Sequence, residues 1–493
     1  MDNSIAVSDE GWVVSVGNED IAYHDAFGTS FGRYDWDDFL EAQQPTANIY
    51  DPRILFDHRS HRFILVVLHG SSSLESRIMV CFSKSSDPRS GWNIYVIRGN
   101  ALRTSCWFDF PSIAVSGEDF YLCGNMFNDS DGFESSVILQ IDKTAAFAST
   151  SPRFRYWTPT DVGTIAPASW GLDGGYGPGI YCVSTLAKGG TTVDLWDVTE
   201  DFSGSPELKR TTITVPEYRV PYDGYQKGTD MPIATNDCRA LSTFYLNGIL
   251  HFVHHDRSEN LYTRLRYNRL DTSEKTVHVK TFGLDGYEYC YPSLVSYSDD
   301  QNDATALIAF LRSGSNIYPE FRCVAADESM DFTGSALIRA GDASVTTFAS
   351  EDSERWGDFT GVARRFGVAT PEAWASGCYG RANRRWGGWV AQISNRPTGG
   401  TRIECPELFT ANLYPNPTNA LSTIRFTTQT RKMIEIHLYD PVGRKSRLMY
   451  RDRPKAGVNE VRLFAHELRT GVYHLVITSE GKEIAREKLI VVH

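Results

Sequence analysis

Asp51, Arg53, Asp109, Asp237, Arg239 and Asp358 all stand at the starts of strand-like runs. A second polar set follows other apolar runs: Asn125, Asn128, His254, His255, Asp256, Arg312 and Arg381. Tyr289, Tyr318, Trp356 and Trp386 are aromatic neighbours of these positions. Three chemistries fit such a set. Two carboxylates about 5–10 Å apart would cleave a glycosidic bond. Arg53, Arg239 and Arg312 would clamp a carboxylate through their planar, two-pronged guanidinium groups. Aromatics with carboxylates would bind a glycan or a protein without turnover. The plain structural use is that Asp and Arg at strand starts pair and staple neighbouring sheets, as Arg355 with Asp358 and Asp51 with Arg53 would do. His254-His255-Asp256 has metal-ligating types, but adjacent side chains on a strand point to opposite faces. The two histidines therefore do not share an ion, and no metal or cofactor is expected. There is no Gly-x-Ser-x-Gly elbow, no His-Glu-x-x-His and no P-loop. GGYGPG (174–179) lacks the Lys-Ser/Thr of a phosphate loop and reads as a turn.

The elements that must position these residues repeat. Apolar runs occur at Phe63–Gly70, Asp119–Phe127, Gly179–Thr185, Ile249–His255, Ala306–Gly314 and Ala373–Arg381. Each is preceded by another strand-like run: Asp51–Asp57, Asp109–Ser116, Ala166–Leu172, Cys238–Phe244, Tyr291–Ser298 and Trp356–Arg364. A spacing of some tens of residues is that of propeller blades. Six units plus the strand pair in residues 4–24 predict an all-β, seven-bladed β-propeller over residues 1–395, with six blades as the alternative. Helix signals are nearly absent, and Asp35–Gln44 offers one short turn of helix. In a propeller, first-strand starts and the loops after second strands reach the same face beside the central channel. Asp51, Arg53, Asp109, Asn125, Arg239, His254, Asp256, Arg312, Asp358 and Arg381 are the candidate ligand-binding residues on that face. The chain leaves binding and catalysis both open.

Composition agrees. The chain has 493 residues, 41% hydrophobic and 22% charged, with 11 Trp, 24 Tyr, 26 Phe and 40 Gly. Heavy aromatic and glycine use favours short strands over helix bundles. The longest apolar run, Phe63–Leu68, is far short of the roughly 20 residues of a spanning helix. A net charge of −12 without a basic block speaks against nucleic-acid binding. Residues 411–493 carry 14 Lys/Arg against 8 Asp/Glu, and the rest of the chain 35 against 53. A large acidic module thus precedes a small basic one. The first residues lack a basic and apolar leader, so no signal peptide is expected in them. None of the nine cysteines has CxxC spacing. Most read as buried small residues, with one or two disulfides if the protein is exported.

Several segments carry a resemblance. DPRILFD followed by SKSSDPRSGW, DFPSIAV followed by YLCGN, and YPSL followed by FLRSGSNIYP come in tandem, and RWGDFTGV and WGGWVAQI close the region. Residues 50–395 resemble in these pieces a family of secreted bacterial β-propellers, which implies fold and export. SKSSDPRSGW also resembles the Asp-box turn of sialidases through Ser85, Asp87, Gly91 and Trp92. Such a turn is scaffold. The sequence has no full sialidase Arg-Ile-Pro motif, of which Arg53-Ile54-Leu55 is only a partial likeness, and a sialidase-like, glycan-cleaving hydrolase or lyase using the channel-mouth face is the competing reading.

NRPTGGTRIECPELF, residues 395–409, is rich in Pro, Gly and Thr and reads as a linker, bounded here as 396–412. The remainder, 413–493, holds six or seven short alternating strands, enough for a small β-sandwich. It contains Tyr414-Pro415-Asn416-Pro417, a strand ending at Tyr439-Asp440 with Gly443 in the turn, Gly457, Leu468 through Gly471-Val472-Tyr473, and the Lys488–Val492 end. In these residues the tail resembles the type A C-terminal sorting domain of the type IX (Por) secretion system of the Bacteroidetes. The resemblance implies the outer-membrane export machinery as partner, cleavage near the linker, and cargo that is shed or attached to surface lipopolysaccharide. The expected protein is a secreted or surface-attached monomer with no transmembrane segment, recognising a glycan or a host or matrix protein.

Overall fold

Seven antiparallel sheets succeed one another between Ser4 and Ser394 in the computed structural model. It describes residues 2–172, 175–347, 352–394, 410–428, 433–440, 444–454, 457–466, 468–479 and 482–493. Blade 1 holds Ser4–Val7, Trp12–Val16, Asp20–Asp25 and Ser30–Asp35. Blade 2 runs from Ile49–Asp57 to Trp92–Arg98, and blade 3 from Cys106–Val115 to Phe154–Trp157. Blade 4 runs from Ile165–Pro167 to Leu208–Arg219. Blade 5 starts with Ser242–Leu246, beside which Ser169–Trp170 adds a short parallel strand. Blade 6 starts with Glu288–Ser296. Blade 7 has three described strands: Gly361–Arg365, Glu372–Gly380 and Trp386–Ser394.

The inner strands pack in ring order, and that of blade 7 packs against that of blade 1. The Asn3 N–H donates to the Phe359 carbonyl at 3.3 Å across this closure. The fold is therefore a seven-bladed β-propeller, the larger of the two expected counts.

Two local signals explain why these residues make blades. The second strands lie between neighbouring sheets and are buried on both faces. Phe63 through Leu68 are all solvent-excluded, as are Phe120 through Cys123. Two-sided burial removes the polar alternation of an ordinary strand, so these segments read as unbroken apolar runs. Each such side chain contributes roughly 1.5–3 kcal/mol when fully buried.

The second signal is proline in the first strands of blades 2, 3 and 6. Pairing jumps from Tyr50↔Leu68 to Arg53↔Val66, from Asp109↔Asn125 to Ser112↔Cys123, and from Cys290↔Leu311 to Ser293↔Ala309. In each case three steps on the inner strand oppose two on its partner, so one extra residue is accommodated as a bulge. Asp51, Phe110 and Tyr291 occupy these bulges with φ of 49°, 57° and 50°, and a proline follows each. Proline has no N–H to lose from the ladder, and a bulge is where a strand tolerates it.

The short helix Trp36–Phe39 is capped by the Asp35 carboxylate, which accepts from the Asp38 N–H at 2.9 Å. Eight cysteines are buried, Cys123 and Cys182 among them. No disulfide occurs among the described residues, and Cys405 lies outside them.

The chain divides into two compact units, Met1–Pro397 and Thr398–His493. The expected linker lies outside the described residues up to 409, as does Gly443. Described by itself, the second unit is a sandwich. One sheet joins Thr410–Tyr414, Leu421–Thr428 and Gly457–Phe464, and the other joins Lys445–Asp452, Ile434–Tyr439, Gly471–Ser479 and Lys482–Val491. Ile424, Phe426 and Leu463 of the first meet Ile436, Tyr473, Leu475 and Leu489 of the second in one core. Asn416 donates from Nδ2 to the Lys488 carbonyl at 2.6 Å and accepts from the Ile490 N–H at 2.8 Å. Thr418 exchanges backbone hydrogen bonds with Ile490 and Val492. The Tyr-Pro-Asn-Pro segment thus seals the edge of the final strand. Gly471 opens the strand that carries Tyr473, whose hydroxyl donates to the Arg469 carbonyl at 3.0 Å. Tyr414 donates to Glu460 at 2.9 Å.

Candidate functional site at the channel mouth

The bulges and turns that start the inner strands turn polar side chains toward one mouth of the channel. Asp51, Arg53, Asp109, Arg239 and Asp358 converge there. Asp2 joins them: its carboxylate accepts from Asn18 Nδ2 and from the Asp358 N–H. Asn18 in turn accepts from the Asp51 N–H at 3.1 Å. Asp358 accepts from Arg355 at 2.8 Å and from Asn236 Nδ2 at 3.1 Å. Arg239 grips Asp237 with two prongs, at 2.8 and 2.6 Å, and lies over the Phe110 ring at 4.3 Å. Arg53 lies over the Phe359 ring at 4.4 Å, and the two rings meet at 4.7 Å. The pair Arg355–Asp358 forms as the structural use requires, whereas the contact of Arg53 is with an aromatic ring.

The remaining candidates lie elsewhere. Asn125 ties blade 3 to the start of blade 4, donating to Thr164 Oγ1 at 2.9 Å and accepting from the Thr164 N–H at 2.8 Å. His254 is buried against Tyr218 at 4.9 Å, and burial lowers its pKa to about 3. His255, on the opposite face of the strand, accepts from the Tyr291 N–H at 2.7 Å and contacts the Asp237 carbonyl at 2.8 Å. Asp256 pairs with buried Arg266 at 3.0 Å and accepts from the Arg219 N–H, joining blades 4 and 5. Arg312 is bound to Glu320 at 2.6 Å inside blade 6. Asn125, His254, His255 and Asp256 thus tie neighbouring blades, and Arg312 is tied within its own. The arginine clamp of Arg53, Arg239 and Arg312 is therefore not assembled, because Arg312 is spent on Glu320.

Arg381 is exposed and lines a groove of about 920 Å³ between blades 1 and 7. The groove also carries Arg33, Arg385, Glu19 and the rings of Tyr379 and Trp389. Arg339 lies over Tyr379 at 4.2 Å. Asn3, Gly17 and Asn18 line it as well, so the groove adjoins the mouth. Its size suits a small ligand or a few sugar units. Asp2, Asn18, Asn236 and the Phe110–Phe359 pair are mouth residues that sequence reasoning missed. Phe110 carried a signal, the same residue-before-proline position as Asp51.

The mouth crowds carboxylates away from water. Burial, then Asp2, Asp109 and Asp358, raises Asp51 well above the usual range. Burial lifts Asp109 to about 6, and burial followed by Asp2 raises Asp358. A carboxyl raised in the folded state stabilises below its unfolded pKa, and that contribution is lost as pH rises through the folded value. For Asp109 the window runs from about 4 to about 6. Asp109→Asn is expected to remove up to about 2–3 kcal/mol of this fall in stability between pH 4 and 7. Urea melts at stepped pH measure it, and an unchanged slope would contradict the assignment. Among the described residues, no group of three His, Cys, Asp or Glu side chains is arranged to hold a metal ion, and no helix is long and apolar enough to cross a membrane.

Comparison with known proteins gives one sequence match. Residues 412–492 match the secretion system C-terminal sorting domain. No curated protein matches the chain. Among solved structures, prolyl oligopeptidase B from Galerina marginata is 9% identical with TM-score 0.40, over 87% of this chain and 56% of its own. The chain thus spans little more than half the length of that protein. Trypanosoma rangeli sialidase is 9% identical with TM-score 0.39, over 96% of this chain and 90% of its own. An exo-beta-1,3-galactanase from Phanerochaete chrysosporium is 9% identical with TM-score 0.30, over 99% and 95%.

Proposed function

We propose that this chain is an extracellular recognition protein exported by the type IX secretion system of the Bacteroidetes. The observation that carries the reading is the sorting-domain match over residues 412–492. In this reading 413–493 is the export signal, 396–412 the segment cut after export, and 1–395 the delivered cargo. The cargo is shed or held at the cell surface. It binds a glycan or a host or matrix protein at the channel mouth and in the adjoining groove. The exposed Trp389 and half-buried Tyr379 supply apolar faces, and Arg33, Arg381, Arg385 and Glu19 supply hydrogen bonds. Removing residues 413–493 in a type IX-competent host is expected to leave a folded propeller retained in the periplasm. Undiminished surface display of that truncation would overturn the export reading. A glycan array probed with the full chain and with Trp389→Ala tests the groove.

One observation favours a second reading, a glycan-cleaving hydrolase. Asp109, lifted to about 6, sits among other carboxylates, and a carboxyl raised toward neutral pH is what protonation of a glycosidic oxygen needs. Fluorogenic glycosides decide between the two. Turnover abolished by Asp109→Asn supports the hydrolase, and binding without turnover supports recognition.

A further inference from the structure

Below the mouth, the inner strands enclose a cavity of about 180 Å³ within the channel. Its lining is unevenly charged. Among the described residues, Arg53 and Arg364 are its arginine side chains, and Asp57 is its only carboxylate. Asp57 is already neutralised: Lys143 Nζ lies 2.9 Å from its Oδ2, and both side chains are buried. Arg364 is also occupied, donating to the Ser298 carbonyl and to Asp299. Arg53 is different. Among the described residues, no hydrogen-bond acceptor or carboxylate meets its guanidinium, and its Nε is walled off without a partner. One face of the guanidinium lies on Phe359 at 4.4 Å. Arg53 also lines the cavity, and among the described residues nothing accepts from its Nη groups. Ser242, Ser293 and Thr360 of blades 5, 6 and 7 line it too, with hydroxyls that donate to the Leu294 carbonyl, to Ser242 Oγ and to the Tyr291 carbonyl.

An unmet, half-buried guanidinium is costly, because a buried charge needs a counter-charge and hydrogen bonds. Asp2 and Asp51 act on it from the mouth, but Asp2 is engaged by Asn18 and the Asp358 N–H. We propose that the channel cavity is a carboxylate-binding site, in which Arg53 receives the acid group of a small organic acid or of an acidic sugar unit. The planar pair of Nη groups matches the two oxygens of a carboxylate. The volume suits a small acid or a single acidic residue of a longer chain. The site does not depend on the groove reading, since neutral glycans on an array decide the groove and an acid titration decides the channel.

Calorimetric titration of the full chain with succinate, galacturonate, trigalacturonate and neutral galactose tests the proposal. At least one acid is expected to bind, and galactose is not expected to bind in the channel. Arg53→Gln is expected to weaken acid binding at least tenfold, and Arg53→Lys to recover part of it. Succinate and galacturonate binding alike identifies a free-acid site, and trigalacturonate binding alone identifies an acidic polymer. Thermal melts of the unaltered protein give a readout that does not require the variants to fold. The acid that binds should raise Tm with concentration, and galactose should not. Acids that neither bind nor raise Tm would overturn the proposal, as would undiminished acid binding by Arg53→Gln.

Discussion

Replacing Lys143 by methionine is expected to destabilise the propeller by about 3–5 kcal/mol. Lys143 is 2% exposed and Asp57 3%. Their ion pair at 2.9 Å joins the end of the inner strand of blade 2 to the short helix Lys143–Phe147 that follows the third strand of blade 3. The ammonium also donates to the Ser116 carbonyl at 2.8 Å. Methionine preserves the bulk and removes the charge, so the Asp57 carboxylate is left buried without a counter-charge. A buried pair as such is weak evidence of stability, whereas breaking one leaves the desolvation of the surviving charge unopposed. The double variant Asp57→Asn with Lys143→Met should therefore regain much of what the single variant loses. Urea unfolding of the three proteins gives the coupling. A single variant within about 1 kcal/mol of the unaltered protein would show that the pair is not what holds blades 2 and 3 at that point.

The same two-sided burial that makes the blades visible in the sequence hides the facing of their residues. The apolar second strands and the residue-before-proline bulges could be read directly, and with them Asp51, Arg53 and Asp109 at the mouth. Arg239 and Asp358 follow comparable strand starts, where Asn236 and Gly357 take positive φ in place of a bulge residue before proline. Asn125, His254, Asp256 and Arg312 lie on second strands, where both faces meet protein. Nothing in their spacing says whether a side chain turns to the channel or to the next blade. His254 and His255 do point apart, one to Tyr218 and the other to the Tyr291 N–H, as strand geometry requires. Asp2 and Asn18 were not legible because the inner strand of blade 1, Ser4–Val7, carries no proline and only four residues. Their place at the mouth follows from ring closure, a contact between the two ends of the propeller sequence. The tail was legible because its motif residues do local work: Asn416 completes an edge and Tyr473 fills a core.

Ring closure itself should be sterically sensitive. Gly361 begins the inner strand of blade 7, and a Cβ placed there would lie 2.8 Å from the Ile5 nitrogen and 2.8 Å from Ser4 Cα. Both are backbone atoms of the inner strand of blade 1, so no side-chain rotation can relieve the contact. Gly361→Ala is expected to cost about 1–3 kcal/mol, the usual range for overpacking, and Gly361→Val more because its branch enlarges the wedge. The loss should be local before it is global. Blade 1 is held to blade 7 by packing and by the Asn3 N–H to Phe359 bond. A displaced Ser4–Val7 strand also carries Asp2 away from Asp358 and opens the mouth. Hydrogen exchange at Ser4–Val7 should therefore rise in Gly361→Ala at denaturant concentrations where blades 3 and 4 remain protected. Gly377 offers the contrast, since a Cβ there meets the ring of Phe321 at 2.5 Å, a side chain within the core beside blade 6. Exchange in Gly361→Ala that rises evenly over all seven blades, or a Gly361→Val protein that melts like the unaltered one, would mean that the blades close by some contact other than this backbone approach.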